Sequence, residues 1–246
     1  MISRSYYRLP LMLVAVQTGC AERLPTYPWV DDSHAARLLA ERSTRMQTLA
    51  SPCRVILAET NSGSTQLDGA IVARTPGFLR LRAWKLSQPV LDITLTPEGL
   101  WLFTARDNEH PDHRPSPFAG LTAEHLRRAW SLVTGEAPLD GWTWKDDASS
   151  DALAIRQQWD SGGSIDCTID RHTLALRRCT VTRSADAAPL TLTLDRYRAI
   201  QQVVVPTRVI MHSEHGTITM LLDDIAVNED LPQAAFDPPR RASKQP

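Results

Sequence analysis

From Cys53 onward the chain alternates apolar and polar residues with a period of two, the spacing of a strand with one buried face. "CRVILAE" (53–59) and "LDGAIVAR" (67–74) flank the turn-rich "TNSGSTQ" and predict a hairpin. "PGFLRLRAW" (76–84) opens on a Pro-Gly turn. In "VLDITLTPEGLWLF" Leu91, Ile93 and Leu95 alternate with Asp92 and Thr94, and Pro97-Glu98-Gly99 turns the chain into residues 100–103. These segments form a five-strand meander. A second meander runs through 152–159, 164–170, 173–181, 190–198, 207–214 and 217–228, the last two meeting at His215-Gly216. Two segments keep a helical period instead. Residues 32–50 carry Ala35, Leu38, Leu39, Met46 and Leu49 on one stripe, with Asp32 or Ser33 as cap and Pro52 as stop. Residues 121–135 carry Leu126, Ala129, Trp130 and Val133, with Thr122 as cap and Gly135 at the end.

The pattern therefore predicts a mainly β chain of about eleven strands with a few helices. No strand–helix–strand rhythm appears, so the sheet is antiparallel. One face needs cover, and the two helices are what the chain offers. A strongly curved sheet or open barrel with helices in its mouth follows, a common place for an apolar ligand.

The N-terminus changes the picture. Arg4 and Arg8 precede a short apolar run, which ends in Gln17-Thr18-Gly19-Cys20. The run is broken by Pro10 and falls short of the about 20 apolar residues a spanning helix needs. A basic start, short apolar core and small-residue end describe a secretory signal. The ending resembles a bacterial lipobox, with Gln17 where Leu is preferred. The resemblance implies that Cys20 is acylated and becomes the mature N-terminus. Two or more acyl chains hold firmly to a membrane, at about 0.8 kcal/mol per buried CH₂, where one chain is marginal. Ala21 rather than Asp after the cysteine implies sorting to the outer membrane. The expected boundaries are a signal peptide at 1–19, a lipidated tether at 20–31, one domain at 32–239 and a tail at 240–246.

Charge and cysteine chemistry narrow the function. Lys and Arg total 27 against 28 Asp and Glu, and losing Arg4 and Arg8 leaves the mature chain near neutral. That gives no basic field for nucleic acid. Besides Cys20 the chain holds Cys53, Cys167 and Cys179. Cys167 and Cys179 fall on neighbouring strands but slightly out of register about a turn at Arg171-His172, so a bridge and two buried thiols both stand open. No metal-type cysteine spacing occurs. Glu109, His110, Asp112 and His113 are ligand-capable types on a proline-rich loop without ligand spacing; His212, Glu214 and His215 surround a hairpin turn. No nucleophile elbow, zinc-helix or P-loop motif occurs, so neither catalysis nor a cofactor is expected.

Four stretches carry a family resemblance: "GAIVARTPGFLRLRAW", "LSQPVLDITLTPEGLWLF", "LTAEHLRRAWSLVTGEAPLDGW" and "VVVPTRVIMHSEHGTITMLLDDIAVNEDLPQAAFDPP". Together they resemble the LolA/LolB superfamily of lipoprotein carriers and receptors. The resemblance implies an unclosed eleven-strand β half-barrel with helices on its open side and an apolar cavity for acyl chains. With the lipobox it implies a monomeric, periplasm-facing outer-membrane receptor, binding acyl lipid or lipoprotein cargo and partnered by a LolA-like carrier. A regulator-like sensing module of the same fold is the alternative. It also implies a membrane-insertion role for Leu86, in the loop "WKLSQPV". The carrier's lid arginine precedes a proline directly, whereas Arg74 here is followed by Thr75 and only then Pro76.

Such a receiver needs a dry hollow rather than a reactive group. Its candidate walls are Leu79, Leu81, Leu91, Ile93, Leu95 and Leu102 from the first meander. Leu126, Trp130 and Val133 come from the second helix, and Ile155, Ile165, Leu192 and Met220 from the second meander. The five methionines do not mark a pliable pocket, because Met1 and Met12 lie in the signal. The tryptophans at 84, 101, 130, 142, 144 and 159 suit either a cavity rim or a core.

Overall fold

A computed structural model describes residues 23–59, 63–105, 122–134, 142–145, 151–159, 162–182, 188–240 and 242–245. The signal, Cys20 and the Glu109–His113 loop residues lie outside that set.

Helix α1 (Asp32–Ser43) is capped by Asp31, whose carboxylate accepts from the His34 N–H at 2.7 Å. It stops nearly two turns earlier than its apolar stripe predicts. Residues 45–47 are claimed by Asn228, whose side chain accepts from the Gln47 N–H and donates to the Arg45 carbonyl. Leu49 then begins a strand and reaches the core from there.

The strands follow as β1 (Thr48–Glu59), β2 (Gly63–Arg74), β3 (Phe78–Lys85), β4 (Gln88–Thr96) and β5 (Gly99–Thr104). Helix α2 (Ala123–Thr134) separates them from β6 (Thr143–Lys145), β7 (Ala152–Gln158), β8 (Ser164–Asp170), β9 (Leu176–Thr182), β10 (Leu190–Ile200), β11 (Val203–Ser213), β12 (Gly216–Leu222), β13 (Ala226–Val227) and β14 (Ser243–Gln245). All pair antiparallel in one sheet, ordered β14-β5-β4-β3-β2-β1-β12-β11-β10-β9-β8-β7-β6, with β13 beside β1. The sheet is not closed, since β14 and β6 form its two edges. The eleven expected strands are present. The additions are short: β6, β13 split from the end of β12, and β14, which pairs with β5 from a tail expected to be irregular.

Pro52 lies inside β1 rather than ending a helix. It sits where β1 changes partner from β13 to β12, and its carbonyl accepts from Asp223 across the gap. A missing N–H is tolerated at such a break. Gly69 is needed one pair further on. A Cβ there would meet the Arg82 carbonyl at 2.8 Å and Cys53 and Val55 side chains at 3.1 Å, so the ladder closes only on glycine.

The apolar face of the sheet is concave and packs beneath the helices. The other face is polar, with cross-strand ion pairs Arg156–Asp166 and Arg208–Asp195. Over β3 and β4 that outer face is also covered, by the segment after β13. Asp92 is buried there. It accepts from Arg80 through both oxygens at 3.0 and 2.8 Å and from Thr94 at 3.1 Å, and forms an ion pair with Arg82 at 3.2 Å. Arg80 also donates to the Ala235 carbonyl, and Phe236 is fully buried below.

Cys167 and Cys179 stand directly opposite, both buried, with their Sγ atoms 2.7 Å apart. The register slip expected from the turn is absorbed by a bulge between Thr168 and Ile169. Burial and the neighbouring thiol push Cys167 up, and burial pushes Cys53 up to about 12. Thiols so placed do not ionise near neutral pH and react slowly until unfolding. In protein recovered from an oxidising compartment, an alkylating agent added in denaturant is expected to label Cys53 and leave Cys167 joined to Cys179. Labelling of all three would show that the pair stays reduced.

Candidate functional site

Among the described residues, two hollows lie between the helices and the apolar face of the sheet. The first encloses about 620 Å³ of space between atoms, part of it open solvent. Its roof is one face of α2, on which Leu126, Trp130 and Val133 recur at helical spacing. Its floor is Ile71 on β2, Leu79 and Leu81 on β3, Ile93 on β4 and Leu192 on β10. Val209 and Met211 on β11, with Ile218 and Met220 on β12, complete it. The period of two puts each of these on the concave side. The accessible wall is apolar throughout.

The second hollow has about 730 Å³ of empty space. It lies between α1, the end of α2 and the sheet from β7 to β11. Leu39 and Arg42 come from α1, and Met46 follows it. Val133 and Thr134 come from α2. Ile155, Ile169, Leu174, Leu176, Tyr197 and residues 202–204 close it from the sheet side. Val133 lines both hollows and stands between them under α2.

Eight of the thirteen side chains proposed from the sequence wall the first hollow: Leu79, Leu81, Ile93, Leu126, Trp130, Val133, Leu192 and Met220. Ile155 walls the second. Leu91, Leu95, Leu102 and Ile165 are buried in the core and line neither. Ile71, Val209, Met211 and Ile218 were missed: Ile218 alternates in phase with Met220, whereas the other three lie on β2 and β11, from which no residue was chosen. The methionines correct an expectation outright. Met46, Met211 and Met220, all three outside the signal, line the hollows. Unbranched thioether chains with three rotatable bonds suit walls that must accept ligands of irregular shape.

Trp130 is 8% exposed, and its indole N–H has no acceptor among the described residues. Trp142 is buried, Trp144 and Trp159 pack against the core, and Trp101 lies under the Lys244 ammonium. Arg74 is not a lid latch. It donates to Gln233 and stacks on Phe78 and Phe236, at 4.4 and 4.9 Å, on the covered outer face.

Leu86 is 90% exposed at the tip of the β3–β4 hairpin. Leu86 and Ser87 both have positive φ, 49° and 66°, the two-residue turn that joins twisted strands tightly. Leucine pays for that conformation where glycine or asparagine would not. An apolar side chain held in water by a strained turn needs an explanation other than stability.

Among the described residues no group of three or more His, Cys, Asp or Glu converges as a metal site. His212 pairs with Thr217 and His215 with Glu214 at the β11–β12 turn, away from both hollows. No helix among the described residues is long and apolar enough to cross a membrane.

No family model matches the chain, and no curated protein matches it in sequence. Solved structures do match in fold. A candidate outer-membrane lipoprotein-sorting protein domain from Vibrio parahaemolyticus superposes at TM-score 0.58, with 11% identity over 84% of this chain and 97% of that one. A DUF1329 family protein from Desulfovibrio piger gives 0.58 at 12% identity, over 85% and 98%. A LolA superfamily protein from Nitrosomonas europaea gives 0.54 at 12% identity, over 82% and 97%. At these identities the likeness is one of fold, and the fold is LolA-like.

Proposed function

We propose that this chain is an acyl-lipid- or lipoprotein-binding protein of the bacterial envelope, held at the outer membrane by an acylated Cys20 and receiving its cargo from a LolA-like carrier. The observation that carries this reading is the first hollow, a space under α2 with a wholly apolar wall and an opening to solvent. An acyl chain crossing water loses about 0.8 kcal/mol per CH₂ relative to such a wall. Binding needs no reactive group, and delivery needs a cavity that does not hold too tightly. The fold likeness to a candidate outer-membrane lipoprotein-sorting domain from Vibrio parahaemolyticus supports the assignment.

Leu86 supplies the delivery end. A bare leucine on a rigid hairpin tip can enter the lipid headgroup region while the domain stays in water. Native mass spectrometry of protein made without its signal is the direct test of binding, and co-purified acyl lipid is the expected result. An empty, lipid-refractory protein would remove the function. Replacing Leu86 by Glu is expected to leave cargo affinity unchanged and to slow transfer into vesicles about tenfold. Transfer at the unmodified rate would remove Leu86 from delivery. Metabolic labelling with an alkyne fatty acid, lost in Cys20→Ser, checks the anchor.

A further inference from the structure

Arg42 is a half-buried cation facing no described carboxylate. It lies in the last turn of α1 and lines the second hollow. One of its terminal nitrogens, Nη1, donates to the carbonyls of Thr173 and Leu174, at 3.0 and 2.9 Å. A guanidinium has five N–H groups, and no ion pair to Arg42 occurs among the described residues. The charged and phenolic groups acting on it are Tyr27, Tyr197 and a second cation, Arg45. Neither hollow is lined by an acidic side chain.

Three polar residues besides Arg42 line the hollow: Tyr197, Thr134 and the exposed Gln202. The Tyr197 hydroxyl donates to the Leu176 carbonyl, and the Thr134 hydroxyl donates to the Trp130 and Ser131 carbonyls. What remains is the rest of the Arg42 guanidinium, which finds no acceptor among the described residues. Burial lowers the Arg42 pKa, so its charge is costly there without a counterion.

We infer that the second hollow is a head-group site, in which Arg42 binds the anionic head of an amphiphile whose chain passes Val133 into the apolar hollow. The ligand class is an acyl lipid with a carboxylate or phosphate head. Guanidinium matches both groups with paired hydrogen bonds. This inference rests on the lipid-binding function proposed above and specifies the ligand's polar end.

The test compares a fluorescent polyene fatty acid with its methyl ester, which has the same chain and no charge. Wild-type protein is expected to bind the acid about tenfold to a hundredfold more tightly, the range for a hydrogen bond to a charged group. In Arg42→Gln the acid should weaken to the level of the ester while the ester is unchanged, and Arg42→Lys should recover part of the preference. Equal binding of acid and ester by the wild type would overturn the inference without needing any variant to fold, and would leave the lipid function standing. An unchanged preference in Arg42→Gln would overturn it too. Binding of neither probe would remove the lipid function and this inference together. Inorganic phosphate at matched concentration should not displace the acid; displacement would replace the lipid head with a free anion and overturn the assignment.

Discussion

Asp92→Ala is expected to destabilise the domain by about 3–5 kcal/mol, the largest effect of any single polar substitution in it. Asp92 is buried on the outer face of β4 and collects Arg80, Arg82 and Thr94. Its side chain is 4% exposed and that of Arg80 11%, whereas Arg82 is 55% exposed. Removing the carboxylate therefore strands the Arg80 charge under the 233–236 turn, while Arg82 simply returns to water. The cost comes from the uncompensated buried cation rather than from the strength of the pair. The double variant Asp92→Ala with Arg80→Met should recover most of the loss, because it removes both charges from the low-dielectric site. Urea unfolding of the two variants checks this. A loss below about 1 kcal/mol in the single variant would mean that water reaches the pair and that the 233–236 segment is not seated as described.

Val133→Trp is expected to weaken acyl-probe binding by more than tenfold with little change in folding stability. Val133 lines both hollows and stands between them. An indole there fills space that the native chain leaves empty. Overpacking a filled core costs about 1–3 kcal/mol, and a side chain growing toward a partly open space displaces its neighbours less. The same substitution at a filled position, Leu91→Trp, should show the opposite pattern, with stability lost first, because Leu91 is 1% exposed and lines neither hollow. A probe titration beside a thermal melt separates the two. Unchanged binding by Val133→Trp would mean that acyl chains are not held under α2.

The two experiments address different faces of one sheet. Local alternation settled which side chains belong to the concave face. It did so because a strand's side chains alternate whatever the strand is packed against. Eleven strands, two helices, the antiparallel arrangement and eight of the twelve residues lining the first hollow were therefore legible. The resemblance to LolA/LolB proteins named the fold that the superposition then showed.

Other features depended on contacts between residues far apart in the chain. The end of α1 is set by Asn228, some 180 residues away, so the apolar stripe alone overran it. The facing of Cys167 and Cys179 depends on a bulge that no turn count contains. The burial of Asp92 depends on a segment arriving from beyond residue 230 to cover what reads locally as a solvated strand face. Whether an inward apolar residue fills the core or walls a void is a matter of volume left over after packing. Leu91 and Ile93 sit on one strand, face one way and differ in that respect alone. Sequence thus determined direction, through local sterics and hydrophobic period. Tertiary structure decided vacancy and counter-charge, because an empty space, and an Arg42 facing no carboxylate among the described residues, exist only once distant segments have taken their places.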